Sequence, residues 1–464
     1  MLKEIFKYRG RRIRKYHLHY WAIHYLLFLT PFLIPLVMLV YYWVYPIVVS
    51  FNDPKQFILP VIVIVPLIII ANLFVFILMR RSQLKGGYFL SVRYYNAIAD
   101  MLKLAGFMIR IEAKQSGKKA TEKFPKVYVK KNKHTTKVTL PLDGGQHHDR
   151  FLQLGKKLEE MFMADLVSEE RDFGFVTYGF MTDVIGKRIE IKDVVAKNGS
   201  IKLMEGVYWN YDSAPHMLIA GGTGGGKTYF LYSLIKAMLD VGTIDICDPK
   251  NADLADLSDL PVFKGHVHYG SGETMIRCLE NGVKLMDKRF KYMKSLSNYQ
   301  SGKNYAFYDI PPHFIIFDEW KAFYTSLDYR VKERVDTAVQ QLVLKARQAG
   351  IFLVLATQRP DAADFPAGVR DNLMCKVTVG ILAQVAYHMV FGEENKNKAF
   401  FNKKIKGRGY IDTGGGAKEN EGEGVVREFY TPLVPPTFNF LEEFKKYEKM
   451  IVFNFDLSKE KVEV

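Results

Sequence analysis

From Trp21 to Phe51 the chain carries no Asp, Glu, Lys or Arg, and a second apolar run, Phe57 to Met79, contains VIVIVPLIII and ends at Arg80-Arg81. About 20 apolar residues cross a bilayer, so residues 21–81 predict two transmembrane helices joined by the polar turn Asn52-Asp53-Pro54-Lys55-Gln56. Pro31, Pro35, Pro46 and Pro66 would break soluble helices, but membrane helices tolerate proline. The first run is longer than the apolar part of a signal peptide, and no small-residue cleavage site follows it. Lys3, Lys7, Arg9, Arg11, Arg12, Arg14 and Lys15 precede the first run, and Arg80, Arg81 and Lys85 follow the second. Positive flanks stay in the cytoplasm, which places residues 1–20 and everything after the second span on the cytoplasmic side of a cell membrane.

Residues 82–204 read as a small α+β domain. A short helix is expected between Asn96 and Phe107, and alternating strands at Val127-Tyr128-Val129 and Val138-Thr139-Leu140. Between those strands Lys130, Lys131 and Lys133 form a basic turn able to meet DNA or anionic lipid. An amphipathic helix is expected from Phe151 to Val167, and strands from Phe173 to Met181 and Lys187 to Val194. His147-His148 has no acidic company and reads as a surface loop.

Residues 205–435 change rhythm. Apolar strands at His216–Ala220, His313–Phe317 and Phe352–Ala356 alternate with helices at about Tyr229–Leu239, Glu273–Leu296 and Val331–Ala349, the last stopped by Gly350. That alternation predicts an α/β domain with a parallel sheet covered by helices on both faces. Residues 436–464 suit one tail helix carrying Phe440, Leu441, Phe444 and Tyr447.

Charge sharpens this division. Residues 1–150 hold 24 Lys+Arg against 7 Asp+Glu, and residues 151–464 hold 41 against 42. An anionic partner, lipid or nucleic acid, should meet the first third first. The 48% hydrophobic content excludes a disordered chain. Three widely spaced cysteines, Cys247, Cys278 and Cys375, exclude a disulfide scaffold and a cysteine-built zinc site, and suit a reducing compartment.

The strongest chemical signal follows the strand at His216–Ala220. Gly221-Gly222-Thr223-Gly224-Gly225-Gly226-Lys227-Thr228 fits G-x-x-x-x-G-K-[ST] in the strand–loop–helix setting that a phosphate loop requires. Glycines let backbone N–H groups face the phosphates, and the helix N-terminus adds positive potential. Lys227 is expected on the β/γ-phosphates of ATP and the Thr228 hydroxyl on Mg²⁺. Asp318, at the end of the strand His313–Phe317, is expected on the metal side, and Glu319 as general base. Gln358, after the strand Phe352–Ala356, is placed to sense the γ-phosphate.

These residues resemble the FtsK/SpoIIIE DNA-translocase family. The resemblance rests on PHMLIAG leading into GTGGGKT, on Cys247-Asp248-Pro249-Lys250, on Ile316-Phe317-Asp318-Glu319, and on Ala349-Gly350-Ile351 followed by Ala356-Thr357-Gln358-Arg359-Pro360. It implies a RecA-like P-loop NTPase fold, a hexameric ring and ATP-driven movement of DNA. Two spans and one motor resemble the TcpA-like coupling proteins of Gram-positive conjugative elements, which bring a relaxase–DNA complex to a type IV secretion channel. That layout implies DNA, a relaxase or its accessory protein, channel subunits and membrane lipid as partners, with DNA choice supplied by the partner. Partitioning translocases and protein-secretion ATPases are the alternatives. Arg347, Arg359 and Arg370 are candidates for the arginine that such rings supply across a subunit boundary, and Ser297–Asn304 and Asp361–Asn372 are candidate pore loops.

Overall fold

A computed structural model describes residues 8–50, 54–84, 88–111, 121–132, 134–182, 184–395, 398, 400–402, 404–414 and 426–455. The chain divides into two compact units, residues 1–183 and 184–464. Residues 184–204, expected with the small domain, thus fold with the second unit.

In the first unit, α1 (Tyr20–Leu39) runs through Pro31 and Pro35 into a π-helical turn, Val40–Val44, and a last helical segment, Tyr45–Val49. Pro46 has no N–H to give the preceding turn, which accounts for the loosened turn in front of it. α2 (Ile58–Leu84) contains Pro66. Both helices are long and apolar enough to cross a membrane. Their side chains meet at one polar point, where Tyr25 donates to Asn72 at 2.6 Å and Asn72 donates to the Ile68 carbonyl at 2.8 Å. Such pairs contribute roughly 0.6–2 kcal/mol in lipid.

α3 (Tyr88–Leu104) starts eight residues before the expected helix. A five-stranded antiparallel sheet follows, in the order Arg11–Arg12, β1 (Tyr128–Lys131), β2 (Thr135–Pro141), β4 (Phe175–Met181) and β3 (Asp165–Asp172). Ile98, Leu102, Phe151, Leu158, Val138, Val176 and Tyr178 form its core. The expected helix from Phe151 to Val167 is instead α4 (His148–Leu152), α5 (Gly155–Phe162) and the start of β3. The Tyr178 hydroxyl lies 3.0 and 2.8 Å from the carbonyls of Phe151 and Leu152, bonding the groups that a continuous helix would use itself. β3 reads DLVSEERD, and its charge suits an exposed edge strand. His147 is buried against the Phe107 and Phe151 rings, which corrects the expected surface loop. The expected basic turn is shorter: Lys130 and Lys131 lie in β1, opposite Lys137 and Thr136 of β2, and Lys133 lies outside the described residues.

The second unit opens with two 3₁₀ turns, Ile185–Lys187 and Ile191–Asp193, where a strand was expected. Its eight-stranded sheet uses β5 (Met217–Gly221), β6 (Thr243–Asp248), β7 (Val267–Tyr269), β8 (His313–Phe317), β9 (Ile351–Thr357), β10 (Cys375–Val379), β11 (Arg408–Asp412) and β12 (Arg427–Tyr430). The order is β7-β6-β8-β9-β5-β10-β11-β12. The first six are parallel; β11 and β12 extend the edge antiparallel.

Every residue of β5, β8 and β9 is buried, as befits strands covered on both faces. On one face α7 (Gly272–Ser295) and α9 (Tyr329–Ala349) pack Met275, Leu279, Val339 and Leu342 against Ile315, Phe317, Leu353 and Leu355. Alternation turns Phe314, Ile316 and Phe352 to the other face. Gly350 ends α9 with φ 72°, and a Cβ there would come within 2.3 Å of the Tyr305 ring.

The tail helix α11 (Phe440–Phe444) is capped by Asn439 and sets its rings against Tyr232 and Phe263, which lie beyond β5 and β6. Tyr447 falls outside that helix and donates to Asp240 at 2.7 Å.

The antiparallel edge is fixed by Arg408, whose Nε lies 2.7 Å from Glu428, with both side chains under 4% exposed. Removing one partner of a buried pair strands the other charge. Glu428→Ala is therefore expected to lower stability by about 3–5 kcal/mol. Thermal unfolding of the purified protein reads this as a midpoint fall of about 2–4 °C per kcal/mol. An unchanged midpoint would remove the pair from this role.

Candidate functional site: a phosphate-loop cleft

The loop between β5 and α6 (Lys227–Leu239) lies at the carboxyl end of the parallel strands, where open α/β sheets place their ligands. Its glycines answer to sterics. Gly224 and Gly226 have φ 74° and 105°, a region unfavourable to side chains. A Cβ at Gly225 would meet the Val379 carbonyl at 2.7 Å and Gly380 Cα at 3.1 Å. The Gly225 carbonyl accepts from the Gly407 amide at 3.1 Å, so β10 and the turn before β11 together brace the loop. The first-turn N–H groups of α6 have no intrahelical acceptor and make an anion site.

β8 supplies the opposing charge. Lys227 Nζ lies 2.6 Å from Asp318 Oδ1 and 3.1 Å from Glu319 Oε2, and all three side chains are at most 15% exposed. Glu319 has a left-handed backbone, φ 63°, a conformation that costs about 1–3 kcal/mol unless its surroundings hold it. Here Oε1 accepts from the Gln358 amide at 3.1 Å, and Lys250 adds a second cation 3.3 Å from Oε2. Burial pushes the Glu319 carboxyl up, but Lys227, the Gln358 amide and Lys250 outweigh it and hold it below its ordinary value.

The resulting cleft has a volume of about 820 Å³ and takes in Gly221, Gly222, Thr223, Gly224, Gly226, Lys227, Thr228, Asp318, Glu319 and Gln358. These sequence-predicted residues therefore meet in one place. Gly225 sits behind them, against the Val379 carbonyl. The Thr228 hydroxyl and Asp318 carboxylate are hard oxygen donors in a cleft rich in cations and amides, a set that fits Mg²⁺ carried in on a nucleotide.

Lys250, Arg188 and Lys406 also line the cleft and carried no role in the sequence reading. Lys250 belongs to the run Cys247-Asp248-Pro249-Lys250, and the structure shows what holds that turn. Asp248 accepts from the amides of Lys250, Ala252 and Ala255 at 2.8–3.2 Å, which aims Lys250 at Glu319. Arg188 had no local signal; it reaches the cleft through its bond to the Thr431 carbonyl at 2.7 Å.

The three arginine candidates lie elsewhere. Arg347 donates to the Asp212 carbonyl, Arg359 pairs with Asp361, and Arg370 lies 3.9 Å from Asp371. Of the candidate pore loops, Asp361–Asn372 is tied to the site. Lys321, two residues past Glu319, bridges Asp361 and Asp364 at 2.6 and 2.8 Å.

The fold and this loop define a RecA-like P-loop ATPase. Within that class the sequence comparisons are specific. The FtsK/SpoIIIE family model matches residues 196–306. The Ftsk domain-containing protein YdcQ of Bacillus subtilis (strain 168) is 36% identical over 459 residues, 96% of this chain and 92% of its own length. The chain belongs to the FtsK/SpoIIIE family. DNA translocase FtsK of Borreliella burgdorferi is 25% identical over 210 residues, 42% of this chain and 26% of that protein, so this chain spans about a quarter of that relative. Among solved structures, the pCW3 conjugation coupling protein TcpA, in a monomer form with ATPγS, superposes with TM-score 0.43. It shares 17% identity over 66% of this chain and 89% of that one. The chain is an FtsK/SpoIIIE-type, DNA-translocase-like ATPase.

Because the Cβ of Gly225→Ala would press on a backbone carbonyl, the loop must shift. ATP-analogue affinity is expected to fall about tenfold or more, equivalent to 1.4 kcal/mol, with the circular dichroism spectrum unchanged. Equal affinity, measured by fluorescence titration, would mean that the cradle is not the binding surface.

Proposed function

We propose that this chain is a membrane-anchored motor that spends ATP to move DNA, acting as a coupling protein that delivers a relaxase–DNA complex to a type IV conjugation channel. The observation that carries the reading is the convergence of Lys227, Thr228, Asp318 and Glu319 on one cleft. In this reading Lys227 leaves its carboxylate partners for the β/γ-phosphates of ATP, and Thr228 and Asp318 hold Mg²⁺, which neutralises phosphate charge. Glu319 takes a proton from the attacking water. With Lys227 gone to the phosphates, the Gln358 backbone amide and Lys250 still favour the ionised form of Glu319, and Gln358, bonded to it through the backbone, reports the γ-phosphate.

Relatives named DNA translocase support DNA as the cargo. Two apolar helices and one motor support the coupling role over a partitioning translocase, through the resemblance in layout. In this reading both termini and the motor face the cytoplasm, and the motor works as a homo-hexamer, with Arg347, Arg359 or Arg370 reaching the neighbouring subunit. The near-neutral balance of residues 151–464 favours a second reading, a secretion ATPase that engages protein. In the DNA reading, positive charge is local to the pore loops and the basic first third.

Glu319→Gln should reduce ATP turnover by about 10²–10⁴-fold while leaving ATP binding intact. In cells whose conjugative element carries this variant, transfer to recipients should be lost at normal protein level. Undiminished turnover would remove Glu319 from its role. Lost turnover with normal transfer would refute the coupling function.

A further inference from the structure

The three cysteines are far apart in sequence, yet the fold brings two of them, Cys247 and Cys278, within hydrogen-bond reach of each other and gives Cys278 mixed company. Along β6, Asp245 and Cys247 share a face. β7 lies beside β6 with Cys247 opposite His268, which brings His266 and His268 alongside. α7 then lays Cys278 over them, on the buried side.

Asp245 is the hub. Its Oδ1 is 2.7 Å from His266 Nδ1 and 3.7 Å from His268 Nε2, and its Oδ2 is 3.3 Å from His313 Nε2. His313 is itself fixed, its Nδ1 lying 2.7 Å from Thr243 Oγ1. Donor atoms of Asp245, His268 and Cys278 all lie within 4.8 Å of one another. The side chains of Asp245 and His268 remain 17% and 20% exposed, which leaves a way in. None of these groups belongs to the nucleotide cleft.

We propose that Asp245, His268 and Cys278 form a zinc site, with three protein ligands and a fourth position for water. One thiolate, one imidazole and one carboxylate are a borderline-soft set, which suits Zn²⁺ and not the hard, oxygen-seeking Mg²⁺ or Ca²⁺. Tetrahedral zinc with bonds of about 2.0–2.3 Å spaces its ligands by roughly 3.3–3.8 Å, so a small inward movement of side chains closes the set. His313 on the second carboxylate oxygen is the outer partner that metal-binding carboxylates carry. The ligands come from β6, β7 and α7, so the ion staples three elements. It sits on the strand whose last residue, Asp248, aims Lys250 at Glu319.

The test uses the full-length, untagged protein in detergent. The protein is stripped with a chelator, supplied with excess Mg²⁺, and titrated with Co²⁺ as a coloured substitute for zinc. A thiolate-to-cobalt charge-transfer band should saturate at one equivalent and bleach on adding one equivalent of Zn²⁺. Cys278→Ser should abolish the band, Cys375→Ser should keep it, and His313→Ala should weaken affinity by about 10–100-fold. Should Cys278→Ser fail to fold, His268→Ala, at a partly exposed ring, serves in its place and should weaken binding at least as much as His313→Ala. No band in the wild type would overturn the site and leave an ion-paired Asp–His cluster that takes no metal. A band that survives Cys278→Ser, or that vanishes in Cys375→Ser alone, would overturn it too.

Discussion

The nucleotide cleft is organised around a partly buried cation, Lys227, held by two carboxylates. Lys227 at the start of α6 and Asp318 and Glu319 at the end of β8 neutralise each other at 2.6 and 3.1 Å, where isolated charges would be costly. A triphosphate would compete for the same lysine. The arrangement is therefore poised: whatever takes Lys227 releases Asp318, a carboxylate suited to a metal, and leaves Glu319 to Lys250 and the Gln358 backbone amide. In the proposed mechanism, charge balance inside the partly dry cleft couples nucleotide binding to the readiness of Glu319 as base.

That coupling has a route outward. Glu319 is held in a left-handed backbone by the Gln358 amide and by Lys250. β9 stands between β8 and β5 in the sheet, so its end can touch both carboxylate and loop. Just past Glu319, Trp320 donates to the Asp364 carbonyl at 2.7 Å and Lys321 bridges Asp361 and Asp364. A shift at Glu319 thus has packed, hydrogen-bonded contacts with the segment Asp361–Asn372.

The sequence was most informative where period and local chemistry agree. Strand His313–Phe317 lies where the apolar run predicts it, and α7 and α9 match their spacing to within two residues at each end. The phosphate loop was legible because its glycines obey local sterics. Less legible were features decided by distant partners. Phe151–Val167 has helical periodicity, but Tyr178 from another strand takes its carbonyls. Arg188 reaches the cleft through Thr431, far along the chain, and no local signal foretells that. The Asp245–His268–Cys278 cluster was likewise hidden, since β6, β7 and α7 must first be folded beside one another.

In the proposed function the cleft powers, with ATP, a motor that grips DNA through its phosphates. The direct measurement is ATP turnover by the purified full-length protein, with and without DNA, across a range of salt concentrations. Turnover should rise when DNA of any sequence is added, and the DNA concentration needed should climb steeply with salt, because phosphate contacts release counterions. Turnover that ignores DNA at every salt concentration would contradict the account.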